Sequence, residues 1–373
     1  MRIAIITSRY PSKGNPYNHM FVHMRSKEYI KQGQQVEVFV PGKTSAEYVF
    51  EGVMVRVMPS KNIIEYLKEY DVLYLHLLHL YPLMKTDGWQ IYKAIMKNKY
   101  PFAMYIHGSE AAYFKDRYFG NRLQLKDLLS FLRKDLYHIP RLKKFLYEIA
   151  GKGGLIITPS EWMKDRIKNT FNIGNVYTIP NGIDIDLFSF KSIEAGRRLI
   201  AVRPLGDKVY DIECTIEVLS LLPPQYTLDI YGKGKYKEDY EKLILTKGLS
   251  ERVKIIDNFI DRNKMKQLFH KYNIFISTTK LDTQGITMLE AMSSGLLVAS
   301  IDNSSKKEFI NDMKTGILGN KPKELAEKIL EVTSSQELFE GITKAGRESM
   351  EEIDVKLTCK KELKILKEIA DNK

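Results

Sequence analysis

The sequence predicts an α/β protein of two doubly wound domains, each a parallel sheet with helices on both faces. Short apolar runs alternate with longer, more polar stretches of helical spacing, the pattern of strand–helix–strand units with right-handed crossovers. The alternation breaks at a polar link, FSFKSIEAGRR (Phe188–Arg198), and then restarts. A chain of 373 residues with 44% hydrophobic content has enough apolar material for two cores.

The first series opens with IAIIT (Ile3–Thr7), continuously apolar as expected of a strand buried on both faces. HMFVHMRSKEYIKQG (His19–Gly33) has helical spacing. QVEVFVP (Gln35–Pro41), DVLYLHLL (Asp71–Leu78), PFAMYIHG (Pro101–Gly108), GLIITPS (Gly154–Ser160) and NVYTIPNG (Asn175–Gly182) complete the series. Thr158-Pro159-Ser160-Glu161 has the spacing of a capping box opening a helix. The second series is RLIAVRP (Arg198–Pro204), YTLDIYG (Tyr226–Gly232), RVKIIDNF (Arg252–Phe259), NIFISTT (Asn273–Thr279) and LLVASID (Leu296–Asp302). The expected division is residues 1–188, residues 189–350, and a charged closing helix over 351–373. Ligands of such sheets bind at the carboxyl ends of the strands, so chemistry is sought there.

Composition narrows the function classes. Two cysteines, Cys214 and Cys359, give neither a disulfide framework nor zinc spacing, which fits a reducing compartment. No run approaches the ~18 apolar residues of a membrane span. MRIAIITSRY at the start reads as a buried strand, not a signal peptide, so a cytoplasmic location is expected. Residues 1–190 carry 27 Lys and Arg against 17 Asp and Glu, whereas residues 191–373 carry 31 against 29. The positive excess therefore sits in the first half and points to an anionic partner. FKDRYFGNRLQLKDLLSFLRKDLYHIPRLKKFLYEIA (Phe114–Ala150) interleaves basic and apolar residues. It reads either as a surface lying on anionic headgroups or as helices packed on the sheet with snorkelling lysines.

LDTQGITMLEAMSSG (Leu281–Gly295) carries the most chemistry. It follows the strand NIFISTT and turns into a helix from about Thr287. Gly285 lets backbone amides approach a ligand. Those amides and the helix N-terminus suit phosphate, and Asp282 and Glu290 can accept hydrogen bonds from hydroxyls. A sugar nucleotide offers a diphosphate and hydroxyls together. The competing reading is ordinary charge compensation at a helix start by Asp282, with Glu290 on the surface.

This segment resembles the acid-x7-Glu signature of the retaining GT-B glycosyltransferases of family 4. Glu290, Gly285, Ala291, Met292 and Gly295 match. Asp282 replaces Glu, Gln284 replaces an aromatic and Leu297 a proline. IPNGIDIDLF (Ile179–Phe188), AVRPLGDKVYD (Ala201–Asp211), YGKGKYK (Tyr231–Lys237) and KEFINDMKTGIL (Lys307–Leu318) are similar to further elements of that family, with Val209 in place of a usual glycine. The resemblance implies a GT-B fold with an acceptor-side first domain and a donor-side second one. It implies that Arg203 and Lys208 lie over the diphosphate, a role suited to a guanidinium fork and a point charge. Glu290 would hold the ribose hydroxyls. Asp282 and the amides of Gly285, Ile286 and Thr287 would hold the sugar and diphosphate. Gly232 and Gly234 form the G-x-G loop, and Phe259 lines the base. On the acceptor side, Gly14 and Asn15 in PSKGNPYNH approach the donor phosphate, and His107 in IHGSE contacts the sugar.

The resemblance also implies reaction on one face. The acceptor hydroxyl attacks from the side the leaving group departs, and the donor phosphate takes its proton, with no glycosidase-like carboxylate pair. No D-x-D stands beside the nucleotide site, so neither metal nor other cofactor is expected. The expected partners are a nucleotide-sugar (UDP-sugar favoured, GDP-sugar possible) and a glycan or lipid-linked acceptor, with peripheral membrane contact and no nucleic acid. Rival readings are a GT-B sugar-nucleotide epimerase and a non-catalytic nucleotide- or nucleic-acid-binding protein. A nicotinamide enzyme is disfavoured because Gly232-x-Gly234 is followed by Lys237 and lies far from the first strand.

Overall fold

The structure, a computed structural model, describes all residues except 17, 82–83, 120–124, 150–153, 259 and 373. The chain forms two compact units, Met1–Gly182 with Val355–Lys373, and Ile183–Asp354.

The first unit holds eight strands: β1 (Arg2–Thr7), β2 (Gln35–Pro41), β3 (Ala46–Phe50), β4 (Val53–Met58), β5 (Val72–His76), β6 (Phe102–Tyr105), β7 (Leu155–Thr158) and β8 (Val176–Thr178). They run in the order β3-β4-β2-β1-β5-β6-β7-β8. All neighbours are parallel except β3 and β4, whose antiparallel register puts Phe50 against Val53. The sequence reading did not foresee this hairpin. Its turn, Glu51-Gly52, has positive φ at both residues (44° and 85°), as tight hairpin turns require. The central strands are buried along nearly their whole length, β5 completely. Helices therefore cover both faces, as a parallel sheet demands.

The expected capping box over Thr158–Glu161 is not how the next helix starts. Thr158 ends β7 and donates its hydroxyl to the Ile106 carbonyl at 3.1 Å. Ser160 caps Glu161–Phe171 by accepting from the Met163 amide at 3.2 Å.

The last helix, Val355–Asp371, is part of the first unit and not a separate closing segment. Its Glu362 is buried and takes a two-pronged bond from Arg25, Nε to Oε2 at 2.8 Å and Nη2 to Oε1 at 2.9 Å. The Tyr29 hydroxyl also donates to Glu362, and Arg25 reaches Asn181 Oδ1 at 3.2 Å. A buried pair is tolerated when hydrogen bonds satisfy it this fully. Gly182 explains its own identity: a Cβ there would lie 2.3 Å from Val355 Cα and 2.4 Å from Thr358 Oγ1. The Asn-Gly of Ile179–Phe188 is thus the seat of the last helix. The boundary falls after Gly182, and Ile183–Phe188 belongs to the second unit.

The second unit holds β9 (Arg198–Val202), β10 (Thr227–Tyr231), β11 (Val253–Ile256), β12 (Ile274–Ser277), β13 (Leu297–Ile301) and β14 (Ile317–Gly319). Their order, β11-β10-β9-β12-β13-β14, is all parallel. From β9 the chain winds outward through β10 and β11, then crosses to β12 on the other side. The β9/β12 pair is therefore the topological switch point, where such sheets bind ligands.

Candidate functional site

Two loops meet at the carboxyl ends of β9 and β12. Arg203 is the first residue after β9, and four groups fix its guanidinium. Nε donates to Thr279 Oγ1 at 3.2 Å, Nη2 to Ser277 Oγ at 3.1 Å and Nη1 to the Val202 carbonyl at 3.2 Å. Nη2 also stands 3.8 Å from Asp282 Oδ2. The strand end Ser277–Thr279 thus holds the arginine that faces the acid of the following turn.

Asp282 is tied on three sides. Its Oδ1 accepts from the Gln284 amide at 3.3 Å, its amide donates to Ser304 Oγ at 3.2 Å, and its carbonyl accepts from Ser305 Oγ at 3.1 Å. Gly285 follows with φ 77° and caps the helix Ile286–Ser293. That left-handed geometry favours glycine, and a Cβ would sit 3.1 Å from Met288 Cε and 3.4 Å from Asp282 Oδ2. The first-turn amides of Ile286 and Thr287 have no acceptor within the helix. Their partial positive charge lies on the same turn as Asp282. Gln284, in the place the resemblance gives to an aromatic, is buried.

Glu290 is buried on this helix, and Arg262 pairs with it through Nη1. Burial pushes the Glu290 carboxyl above its usual range, while Arg262 pulls the other way. The Arg262 guanidinium lies over the Phe188 ring, 4.9 Å from its centre. The expected surface alternative for Glu290 is therefore excluded. No spacing in the sequence marked Arg262 as its partner.

Lys208 opens the short helical turn Lys208–Tyr210 after β9. Its amine pairs with Glu213 and lies over the rings of Tyr236 and Tyr240, at 4.4 and 4.8 Å. Gly232 and Gly234 answer to packing. A Cβ on Gly232 would meet the Arg203 carbonyl at 1.9 Å, and one on Gly234 the Gly206 nitrogen at 2.1 Å. The bond from the Leu205 amide to the Lys233 carbonyl, 2.8 Å, seals these loops together. The G-x-G thus brings the β10 loop against the backbone that carries Arg203. Phe259 lies outside the described residues.

Sequence reasoning missed Lys306. It is fully buried, donates from Nζ to the Thr279 carbonyl at 2.7 Å, and feels both Asp282 and Arg203. Burial holds its amine down at about 8, with Asp282 raising it. Its sequence context, SSKKEF, reads as solvated surface and gives no signal of this.

In the first unit, Ser12 and Asn15 exchange two backbone bonds, 3.2 and 3.0 Å, around Gly14. Gly14 and Asn15 are exposed, and a Cβ on Gly14 would meet nothing within 4 Å. No steric demand explains that glycine. His107 follows β6. Its amide and that of Gly108 donate to the buried Glu110 carboxylate at 2.6 and 3.0 Å. Its Nε2 lies 3.0 Å from Nδ1 of His76, the last residue of β5. Phe21 stands 4.4 Å from the His107 ring and Tyr105 4.3 Å. Burial, with Arg25 nearby, keeps both histidines well below their ordinary pKa and so neutral. His76 is thus the direct partner of His107.

Known families match most of the chain. Residues 188–349 match the family model "Glycosyl transferases group 1", and residues 20–187 match "Glycosyltransferase Family 4". The poly(ribitol-phosphate) alpha-N-acetylglucosaminyltransferase of Staphylococcus aureus is 26% identical over 219 residues, covering 56% of this chain and 42% of that protein. The alpha-monoglucosyldiacylglycerol synthase of Acholeplasma laidlawii is 22% identical over 211 residues, covering 51% and 52%. The chain spans about half the length of these curated relatives. Among solved structures, Anabaena HepE in complex with UDP shares the fold, with a TM-score of 0.71 at 16% identity over 100% of this chain and 98% of that one.

Proposed function

Since the chain belongs to the family 4, group 1 glycosyltransferases of the GT-B type, we propose that it transfers a sugar from a UDP-sugar to a hydroxyl of a cell-envelope glycan or lipid-linked acceptor, with retention and without a metal. The observation that carries this is the arrangement of Arg203, Asp282 and Gly285 at the β9/β12 switch point. It supplies a fixed fork for phosphate oxygens, amides for a further anion and a carboxylate for hydroxyls.

The diphosphate lies on Arg203 and the first-turn amides of Ile286–Ser293. These groups stabilise the charge that grows on the leaving UDP. Glu290, with one oxygen held by Arg262, accepts from the ribose hydroxyls. Lys208 leaves Glu213 for the diphosphate when the donor binds. His107 contacts the sugar. The acceptor hydroxyl attacks on the face from which UDP departs, and its proton passes to the leaving phosphate oxygen. UDP is favoured because HepE, of the same fold, was solved with it.

The acceptor reading draws on the basic first half and on the names of the two relatives, a poly(ribitol-phosphate) alpha-N-acetylglucosaminyltransferase and an alpha-monoglucosyldiacylglycerol synthase. Leu125, Leu128, Leu129, Leu136 and Tyr137 are exposed along Leu125–His138, among basic residues such as Arg133. Among the described residues no helix is long and apolar enough to cross a membrane. The segment suits peripheral contact with anionic headgroups instead.

The test is a panel of UDP- and GDP-sugars with polyol-phosphate and diacylglycerol acceptors, with and without a chelator. Products are read by proton NMR for the anomeric configuration. Transfer from a UDP-sugar with retention, unchanged by chelator, is expected. Inversion, loss of activity on chelation, or turnover of GDP-sugars alone contradicts the reading.

A further inference from the structure

His76 and His107 share one hydrogen bond, 3.0 Å from Nδ1 to Nε2. Both rings are held neutral, chiefly by burial. One proton therefore lies between them, and two arrangements exist. If His107 donated from Nε2, His76 would carry its own proton on Nε2. That atom is buried and has no partner among the described residues, and the residue is 0% exposed. The Tyr74 ring meets His76 edge-on at 4.3 Å, yet its hydroxyl is likewise without a partner, so it does not accept from His76. This arrangement strands a buried N–H. If His76 donates from Nδ1, only a lone pair is left at Nε2. An orphaned acceptor is tolerated better than an orphaned donor, so the second arrangement is favoured.

We propose that His76 is a positioning residue that fixes the tautomer of His107: His76 donates from Nδ1, His107 accepts at Nε2, and His107 carries its proton on Nδ1. His107 then meets the substrate as a hydrogen-bond donor and not as a base. Glu110 fixes the same residue from the main-chain side through the His107 amide, so backbone and ring are both held. The inference rests on the reading of His107 as a sugar contact.

The test is two-bond proton–nitrogen NMR of the full chain labelled at histidine, with His107→Gln used for assignment. A pyridine-like Nε2 and a protonated Nδ1 on His107 are expected, and the reverse pattern overturns the proposal. Kinetics with the active donor supply a second reading. His76→Leu should lower kcat at least tenfold. His76→Asn, which keeps an amide near the Nδ1 position, should recover most of that loss. UDP binding should be the same in wild type and both variants. Activity of His76→Leu equal to wild type, or no recovery in His76→Asn, overturns the positioning role. Failure of wild type to bind UDP would instead strike the proposed donor site and leave the NMR result standing by itself.

Discussion

Arg203 Nη2 lies 3.8 Å from Asp282 Oδ2, and this contact joins the loop after β9 to the turn after β12. The two residues belong to separate strand–loop units that the chain brings together only at the switch point of the sheet. Ser277 and Thr279 hold the arginine from the strand end, and Ser304 and Ser305 hold the acid from the loop after β13. The site is therefore rigid before any ligand arrives, which reduces what ordering costs on binding.

Glu290 and Arg262 form a buried pair, so removing one partner leaves an uncompensated charge. Arg262→Ala should destabilise the protein by about 3–5 kcal/mol in denaturant unfolding. Adding Glu290→Gln should recover part of that loss, because the neutral amide no longer needs the cation. An additive double variant would show that the pair does not couple.

Lys306 makes stability depend on pH in a defined window. Its ordinary pKa of 10.5 falls to about 8 in the folded chain. Between those values the unfolded chain binds the extra proton, so the lysine's contribution to stability rises with pH. Below about 8 both states are protonated and the full penalty of burying the charge applies. Lys306→Met should therefore lose about 3 kcal/mol of its stability relative to wild type as pH climbs from 7 to 10.5. Equal pH dependence of the two unfolding curves would contradict this.

Much of this fold could be read from the chain before its structure. Eleven of the strands were visible as apolar runs bounded by turn residues. The hairpin β3–β4 escaped because AEYVF is largely exposed and lies at the sheet edge, so tertiary pairing defines it more than its own pattern does. β14, Ile317–Gly319, escaped as well. At the site, Asp282, Gly285 and Glu290 were legible since one turn and one helix carry them. Their partners were not. Arg262 and Lys306 reach them from other elements, as His76 reaches His107 within the first unit, and spacing along the chain says nothing of a contact made in space. The glycines show the reverse error. Gly182 and Gly232 carry a recognisable pattern, but close backbone packing is what requires them.

The last helix should behave as part of the first unit. Glu362→Ala leaves buried Arg25 without its carboxylate and should cost about 3–5 kcal/mol. Gly182→Ala forces a Cβ into the Val355 backbone and should cost at least about 1–3 kcal/mol. Thermal unfolding of the two variants checks both values, and a Tm within error of wild type would contradict the docking described.

Glu213 competes for Lys208 in the free protein. Glu213→Gln should release the amine and tighten UDP binding several-fold, an effect that Lys208→Ala should abolish. Unchanged affinity in Glu213→Gln would mean that Lys208 does not reach the diphosphate.

The most direct test of the donor site is calorimetric titration of UDP into wild type, Arg203→Ala and Arg203→Lys at fixed salt. Charge-assisted hydrogen bonds contribute about 1.5–3 kcal/mol each, so Arg203→Ala should weaken binding by roughly 10- to 100-fold. Arg203→Lys should recover little, because an ammonium lacks the guanidinium fork. If UDP binds wild type and Arg203→Ala alike, the diphosphate does not lie on Arg203 and the site at the β9/β12 switch point is misassigned.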